Sequence, residues 1–375
     1  MLTLTLVTLV TAVVITATGA TAAATATGAK PAVPGTGPLN RPSISIRPPA
    51  APPAAPAAAP AGLVIRSLGV PDPFVLVDGK HDYLYAGGSG PGQIIHVPVY
   101  PFTTLSNLPA PTDAMPVLPP GTWDWIWTAD VQQAGGGYVM WFTSSWLNIL
   151  NPAGVANECI GVATSAGPTG PFAPQPNPVI CQPWGSIDPR TFTDTNGQKY
   201  LLWKADTNAD HTQAIPTPTY SQRLAPDGTT LLGTPVEIAV STQPWEQALA
   251  ESPDMVVLGE KYYLFFSGNR SASENDGIGV MACAGPQGPC DDNLPTPLLS
   301  SNLQGPGPGE ESLYQQNGKT WLLYSPNFTL GFYAYRPLAV ARVAYEAQGP
   351  YIAQFGGALP GTLTTSNAKS ARARS

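Results

Sequence analysis

The 375-residue chain is short of charge: 17 Lys and Arg and 24 Asp and Glu amount to only 11% of it. Soluble domains average roughly 25%. Long helices and coiled coils draw on Glu, Lys and Arg, so both are excluded. Basic residues are scarcest in the body, where residues 63–366 hold 11 basic and all 24 acidic side chains, a net of −13. No basic face can form against phosphate or anionic lipid, which excludes nucleic acid as a partner. There are three His, at His81, His96 and His211, and none stands at a metal-ligand spacing. The four Cys, at Cys159, Cys181, Cys283 and Cys290, lack paired zinc spacings. An even count in an exported chain favours disulfides. Of three connectivities, Cys159–Cys181 with Cys283–Cys290 is the most economical, and buried free thiols are the alternative.

Charge is absent altogether from residues 1–29, which open with the apolar run from Leu2 to Ile15. Small residues follow, with Ala20, Ala22, Ala24 and Ala26 offering A-x-A cleavage sites. Residues 1–29 are therefore expected to be a secretory signal, although the basic n-region is missing. The alternative is a retained anchor, for which the run is short against roughly 20 residues. Ten of the 44 Pro lie between Pro31 and Pro60. Proline fixes φ and donates no hydrogen bond, so residues 30–62 read as an extended linker. A basic tail, 363–375, reads as a frayed end. The expected location is secreted and extracellular, with cell-wall association through the linker as a variant.

What the chain has in excess is Gly, Pro and aromatic residues: 38 Gly, nine Trp, 14 Tyr and 10 Phe. Turn-formers punctuating aromatic strands indicate an all-β protein. A repeat organises them: an acidic residue, a Gly-containing turn, then an apolar strand. The five copies run Asp72…Gly79…Tyr83–Tyr85, Asp130…Gly137…Phe142, Asp188…Gly197…Trp203, Glu251…Gly259…Phe266 and Glu310…Gly318…Tyr324. Their Gly lie about 60 residues apart, and the turn Gly is expected to supply φ > 0. Strands apolar on both faces imply sheets buried between sheets. Four-stranded units repeated radially make a five-bladed β-propeller over residues 63–362, a single domain. A pair of β-sandwiches is the alternative, and it leaves the constant interval unexplained. The acidic residue of each repeat is placed at the start of its innermost strand, so that the carboxylates converge at one mouth of the channel.

An Asp or Glu beside Pro at a strand start is commonly turn chemistry. Here the flanking residues add to the pattern. The segments around Asp72 (Val70-Pro-Asp72-Pro), Asp188 (Ser186-Ile-Asp188-Pro-Arg190) and Glu251 (Ala250-Glu251-Ser252-Pro) resemble the three catalytic segments of glycoside hydrolase family 43. Trp127-Thr-Ala-Asp130-Val131 and Gly288-Pro-Cys290 resemble further segments, and the likeness covers most of 63–350. It implies an inverting glycosidase, with Asp72 as general base, Asp188 as pKa modulator and Glu251 as general acid. It implies arabinose- or xylose-containing polysaccharide or oligosaccharide as substrate. Trp127 and Trp184 are candidates for stacking on sugar and Asn269 for a hydroxyl contact; Trp123 and Trp125 share a strand face with Trp127. Blade 5 departs from the family: Glu310 and Glu311 follow Gly307-Pro-Gly309 where many members have a channel His. No cofactor is therefore expected, with Glu310 the alternative ligand should a channel calcium bind. A monomer is expected. The competing readings are a retaining fructan or sucrose hydrolase, whose motifs fit less well, and a propeller that binds cell-wall sugar without cleaving it.

Overall fold

The computed structural model of the chain describes residues 69–356, except 80, 89–94, 106, 209–214, 272, 303 and 329–335. The expected signal, linker and tail, the ends of 63–362, and His211 lie outside the described residues. Among the described residues there is no α-helix; strands are joined by turns and one 3-10 turn, Pro244–Glu246.

Five four-stranded sheets follow one another along the chain. Blade 1 is β1 (Phe74–Val77), β2 (Asp82–Tyr85), β3 (Pro98–Phe102) and β4 (Thr112–Asp113). Blade 2 is β5 (Thr122–Ala134), β6 (Gly137–Leu150), β7 (Ala156–Ser165) and β8 (Ala173–Pro174). Blade 3 is β9 (Ser186–Thr193), β10 (Lys199–Ala205), β11 (Pro218–Leu224) and β12 (Leu231–Val240). Blade 4 is β13 (Ala250–Leu258), β14 (Lys261–Gly268), β15 (Gly277–Cys283) and β16 (Cys290–Asp291). Blade 5 is β17 (Gly309–Gln316), β18 (Lys319–Ser325), β19 (Ala339–Glu346) and β20 (Gly349–Phe355). Each is an antiparallel meander, and the first strands touch in a closed cycle: β1, β5, β9, β13, β17 and back to β1. The architecture is the five-bladed β-propeller that the sixty-residue interval predicts.

The double-faced second strands account for how the blades cohere. In β6, Tyr138, Met140 and Phe142 pack toward blade 1, while Val139 and Trp141 pack toward blade 3. In β10, Leu201 and Trp203 face blade 2, and Tyr200 and Leu202 face blade 4. The same alternation in β2, β14 and β18 completes five apolar cores, one per blade interface. A period of two on a sheet buried on both sides dictates this division. Among the described residues no strand is exchanged between the first and last blades. The ring closes on side chains instead, with Val75, Leu84 and Tyr100 against Tyr314, Trp321 and Val340. Gln316 Nε2 donates to Asp82 Oδ2 at 2.8 Å, and the Val70 amide donates to the Arg336 carbonyl at 2.8 Å.

The repeat Gly adopts φ > 0 at Gly79, Gly197, Gly259 and Gly318. Blade 2 differs, because Gly135 and Gly136 make that turn and Gly137 is the first residue of β6. A side chain at Gly137 would meet the Ser165 carbonyl at 2.6 Å, so close strand approach explains that glycine. Cys159–Cys181 and Cys283–Cys290 are disulfide-bonded, the local pairing expected.

Candidate active site

Each inner strand enters the channel through one non-glycine residue with positive φ: Asp72 (48°), Thr128 (49°), Asp188 (58°), Ser252 (50°) and Glu310 (53°). Such a backbone costs on the order of 1 kcal/mol or more and persists only where its surroundings hold it. A register shift accompanies it in blades 2 to 5, between Trp127 and Asp130, opposite Asp188, between Glu251 and Asp254, and between Gly309 and Ser312. A bulge re-aims a side chain that regular pleating would send elsewhere.

This register corrects the placement of the five repeat acids. Asp72, Asp188 and Glu310 hold equivalent positions, but Asp130 lies two residues deeper and Glu251 lies one residue before Ser252. Asp130 is a tie between blades: its carboxylate accepts from the Thr191 amide at 3.1 Å and the Thr191 hydroxyl at 2.6 Å. Asp254 does the same for blade 5, accepting from the Leu313 amide at 2.7 Å.

Asp188 sits at the centre of the mouth's hydrogen bonding. Its Oδ1 accepts from the Thr128 hydroxyl at 2.9 Å, its Oδ2 from the Ser252 amide at 3.0 Å, and its own amide donates to Thr143 Oγ1 at 3.1 Å. Burial pushes its carboxyl up, while Lys204 and those two donors pull it back. Asp72 is buried, and burial together with Glu310 and Asp188 pushes it well above the usual carboxylate range; Arg336 and Arg190 oppose this. Burial and the Asp188 charge also push Glu251 up, against the pull of Lys204. Lys204 Nζ lies 2.6 Å from Glu251 Oε1 and 2.7 Å from Asp206 Oδ1. Three carboxyl groups, 179 positions apart from first to last in sequence, thus share one electrostatic environment. That is an arrangement suited to acid–base chemistry.

Below the mouth lies a second layer. Arg190 is fully buried, its guanidinium 5.5 Å from the Phe74 ring centroid, with Nη2 donating to the Glu311 carbonyl at 3.4 Å. Its charge is felt by Asp130, Asp254 and Glu311, which burial pushes up to about 6, about 7 and about 8. Deeper still, residues of β1, β9, β13 and β17 line a cavity of about 370 Å³ at the far end of the inner strands.

The model of the glycosyl hydrolases family 43 matches residues 63–350. The chain belongs to that family. It is a glycosidase, and its fold is that of solved relatives. It shares 23% identity with a thermostable family-43 glycoside hydrolase, with a TM-score of 0.67 over 79% of this chain and 96% of the other. An endo-1,4-beta-xylanase from Bacteroides thetaiotaomicron aligns at 21% identity and TM-score 0.63, covering 80% and 97%. An alpha-L-arabinofuranosidase from Lactobacillus brevis aligns at 17% and 0.63, covering 81% and 98%. No curated sequence matches the chain.

The glycosidase holds Trp127 beside Asp72: both adjoin Gly87, where a β-carbon would press on the Asp72 carboxylate and the Trp127 Cα and Cβ. Trp125 leans on Trp127 with ring centroids 5.2 Å apart, its indole N–H donating to the Gly88 carbonyl at 3.0 Å. Trp184 is half-buried on the turn that leads into β9, two residues before Ser186. Asn269 opens the loop after β14. Its Nδ2 donates to the Trp245 carbonyl at 3.1 Å and its Oδ1 accepts from the Arg270 amide at 2.8 Å. Both ends of that amide serve the loop after β14, which accounts for Asn at a φ of 79°.

Glu310, the alternative ligand for a channel calcium, has its Oε1 paired with Arg336 Nη1, while its Oε2 is buried without a hydrogen-bond partner. Among the described residues no group of three or more His, Cys, Asp and Glu is arranged for a metal. Sequence reasoning missed Lys204, Arg190 and Arg336. Lys204 directly follows the apolar run Tyr200–Trp203, and a charged residue there was the available signal.

Proposed function

We propose that this glycosidase is an exported, inverting hydrolase of arabinose- or xylose-containing polysaccharide or oligosaccharide. The observation that carries the reading is that the charge of Asp188 acts on both Asp72 and Glu251, while its carboxylate accepts from the amide of Ser252 next to Glu251. The xylanase and arabinofuranosidase named above, and an endo-arabinase from Bacteroides thetaiotaomicron of similar fold, support the sugar class.

In this reading Glu251 gives its proton to the leaving oxygen as the glycosidic C–O bond breaks. Asp72 takes a proton from the water that attacks C1 from the opposite face. Asp188, fixed by Thr128 and Ser252, keeps negative charge near Glu251 and so favours its protonated form. Trp127, beside Asp72, and Trp184 supply flat apolar faces for sugar rings.

The test is incubation with nitrophenyl arabinofuranoside, nitrophenyl xyloside, linear arabinan and xylan, using wild type, Asp72→Asn and Glu251→Gln. Wild type should cleave at least one. Each variant should lose about 10²-fold or more in turnover while keeping the wild-type circular dichroism. Wild-type turnover in either variant would remove that residue from the assignment, and sugar binding without release would favour a non-catalytic propeller. Export predicts a secreted protein whose mature N-terminus, read by mass spectrometry, falls near residue 29.

A further inference from the structure

Lys204 is the one ammonium group buried at the mouth among the described residues, with 1% of its side chain exposed. Strand alternation explains its direction. Tyr200 and Leu202 of β10 face blade 4, and Lys204 continues that face. The register shift after Leu202 sets it opposite Ile187, next to Asp188. A buried ammonium is costly unless paired. Its partners are Glu251 of β13, at 2.6 Å, and Asp206, at 2.7 Å. Asp206 is held in turn, because its amide donates to the Gly185 carbonyl at 3.1 Å.

Resting on the reading of Glu251 as general acid, we propose that Lys204 is its positioning residue. The ammonium binds Oε1, leaves Oε2 to carry the transferable proton, and stabilises the carboxylate formed as that proton leaves. The balance is simple: the Oε2–H bond breaks, a bond from that proton to the leaving oxygen forms, and the glycosidic pair of electrons stays on that oxygen. An ion pair that strengthens as charge develops contributes to rate rather than to binding. Asp206 shares the ammonium and tempers its pull. The groups facing Glu251 are Lys204, Asp206, Asp188, Glu158 and Asp276. Of these only Lys204 is positive, so its removal and the removal of a carboxylate act in opposite directions.

The experiment compares 2,4-dinitrophenyl glycosides with the matching disaccharides, arabinobiose and xylobiose, across pH. A dinitrophenolate leaves without a proton; a sugar alkoxide does not. Lys204→Met should lower kcat on the disaccharide by about 10- to 100-fold, with the dinitrophenyl glycoside changed about threefold at most. It should also move the alkaline limb of kcat/KM upward, and Lys204→Arg should recover much of the loss. Asp206→Asn, which leaves the lysine in place, should move the same limb downward; this serves if Lys204→Met fails to fold. Equal losses on both substrates with an unmoved limb would show a clamp between blades and overturn the proposal. Glu251→Gln separates the two layers of the argument. Equal loss on both substrates in that variant would remove Glu251 as the acid, whatever Lys204→Met does.

Discussion

The Oδ2 of Asp72 lies 2.8 Å from the place a β-carbon on Gly87 would occupy, and the Trp127 Cα and Cβ close the other side at 3.3 Å. Gly87 therefore lets Asp72 and Trp127 meet. Its amide donates to the Pro71 carbonyl at 2.9 Å, which holds the approach to Asp72. Gly87→Ala should displace the carboxylate and lower kcat/KM by about tenfold or more, as an ångström-scale misplacement does. Overpacking should cost about 1–3 kcal/mol of stability. Steady-state kinetics with thermal melts checks both, and unchanged kcat/KM would count against Asp72 as the base.

The pH–rate profile should be bell-shaped, with both limbs above the ordinary carboxylate range. A base must be ionised, so activity rises as pH passes the pKa of Asp72, which burial and neighbouring carboxylates push up. An acid must be protonated, so activity falls above the pKa of Glu251, also pushed up by burial. Measured kcat/KM against pH reports these groups in the free enzyme. A lower limb near pH 4 would contradict the upward push on Asp72.

Stability should fall as pH rises from about 4 to about 8. Asp130, Asp254 and Glu311 are pushed up to about 6, about 7 and about 8, so the native state holds protons that the unfolded chain has released. Their contribution is complete below the unfolded values and lost as pH passes each folded value. The slope is about 1.4 kcal/mol per pH unit for each group titrating in this way. Melting temperatures from pH 5 to pH 8 should decline, and Glu311→Gln should flatten the upper part of that decline.

Arg190→Met should destabilise the propeller by about 3–5 kcal/mol, the cost of leaving buried carboxylates without their cation. Urea unfolding at pH 7 measures it. The loss should shrink at pH 5, where those carboxyls are protonated, and a loss independent of pH would point to packing alone.

The blades were legible in the sequence because burial imposes a period. Tyr200, Leu201, Leu202 and Trp203 cannot all be apolar unless sheets cover both faces, and the turn glycines repeat with them. The cysteine pairs followed from chain economy. The mouth was harder to read, because a bulge changes register without changing composition. Asp130 and Glu251 mark their repeats as Asp72 does, yet one ties blade 2 to blade 3 and the other turns toward Lys204. Asn269 has the composition of a sugar contact and the hydrogen bonds of a turn. Lys204 and Arg190 lie on neighbouring strands of blade 3 and Arg336 on the segment before β19, and they meet Glu251, Glu311 and Glu310 only after folding, so no local motif announces them.

The central claim is that Asp72 and Glu251 act on opposite faces of the sugar in a single displacement. Proton NMR of the first product released from nitrophenyl arabinofuranoside or nitrophenyl xyloside, before mutarotation, tests it most directly. The account predicts inversion at the anomeric carbon. Retention would contradict it.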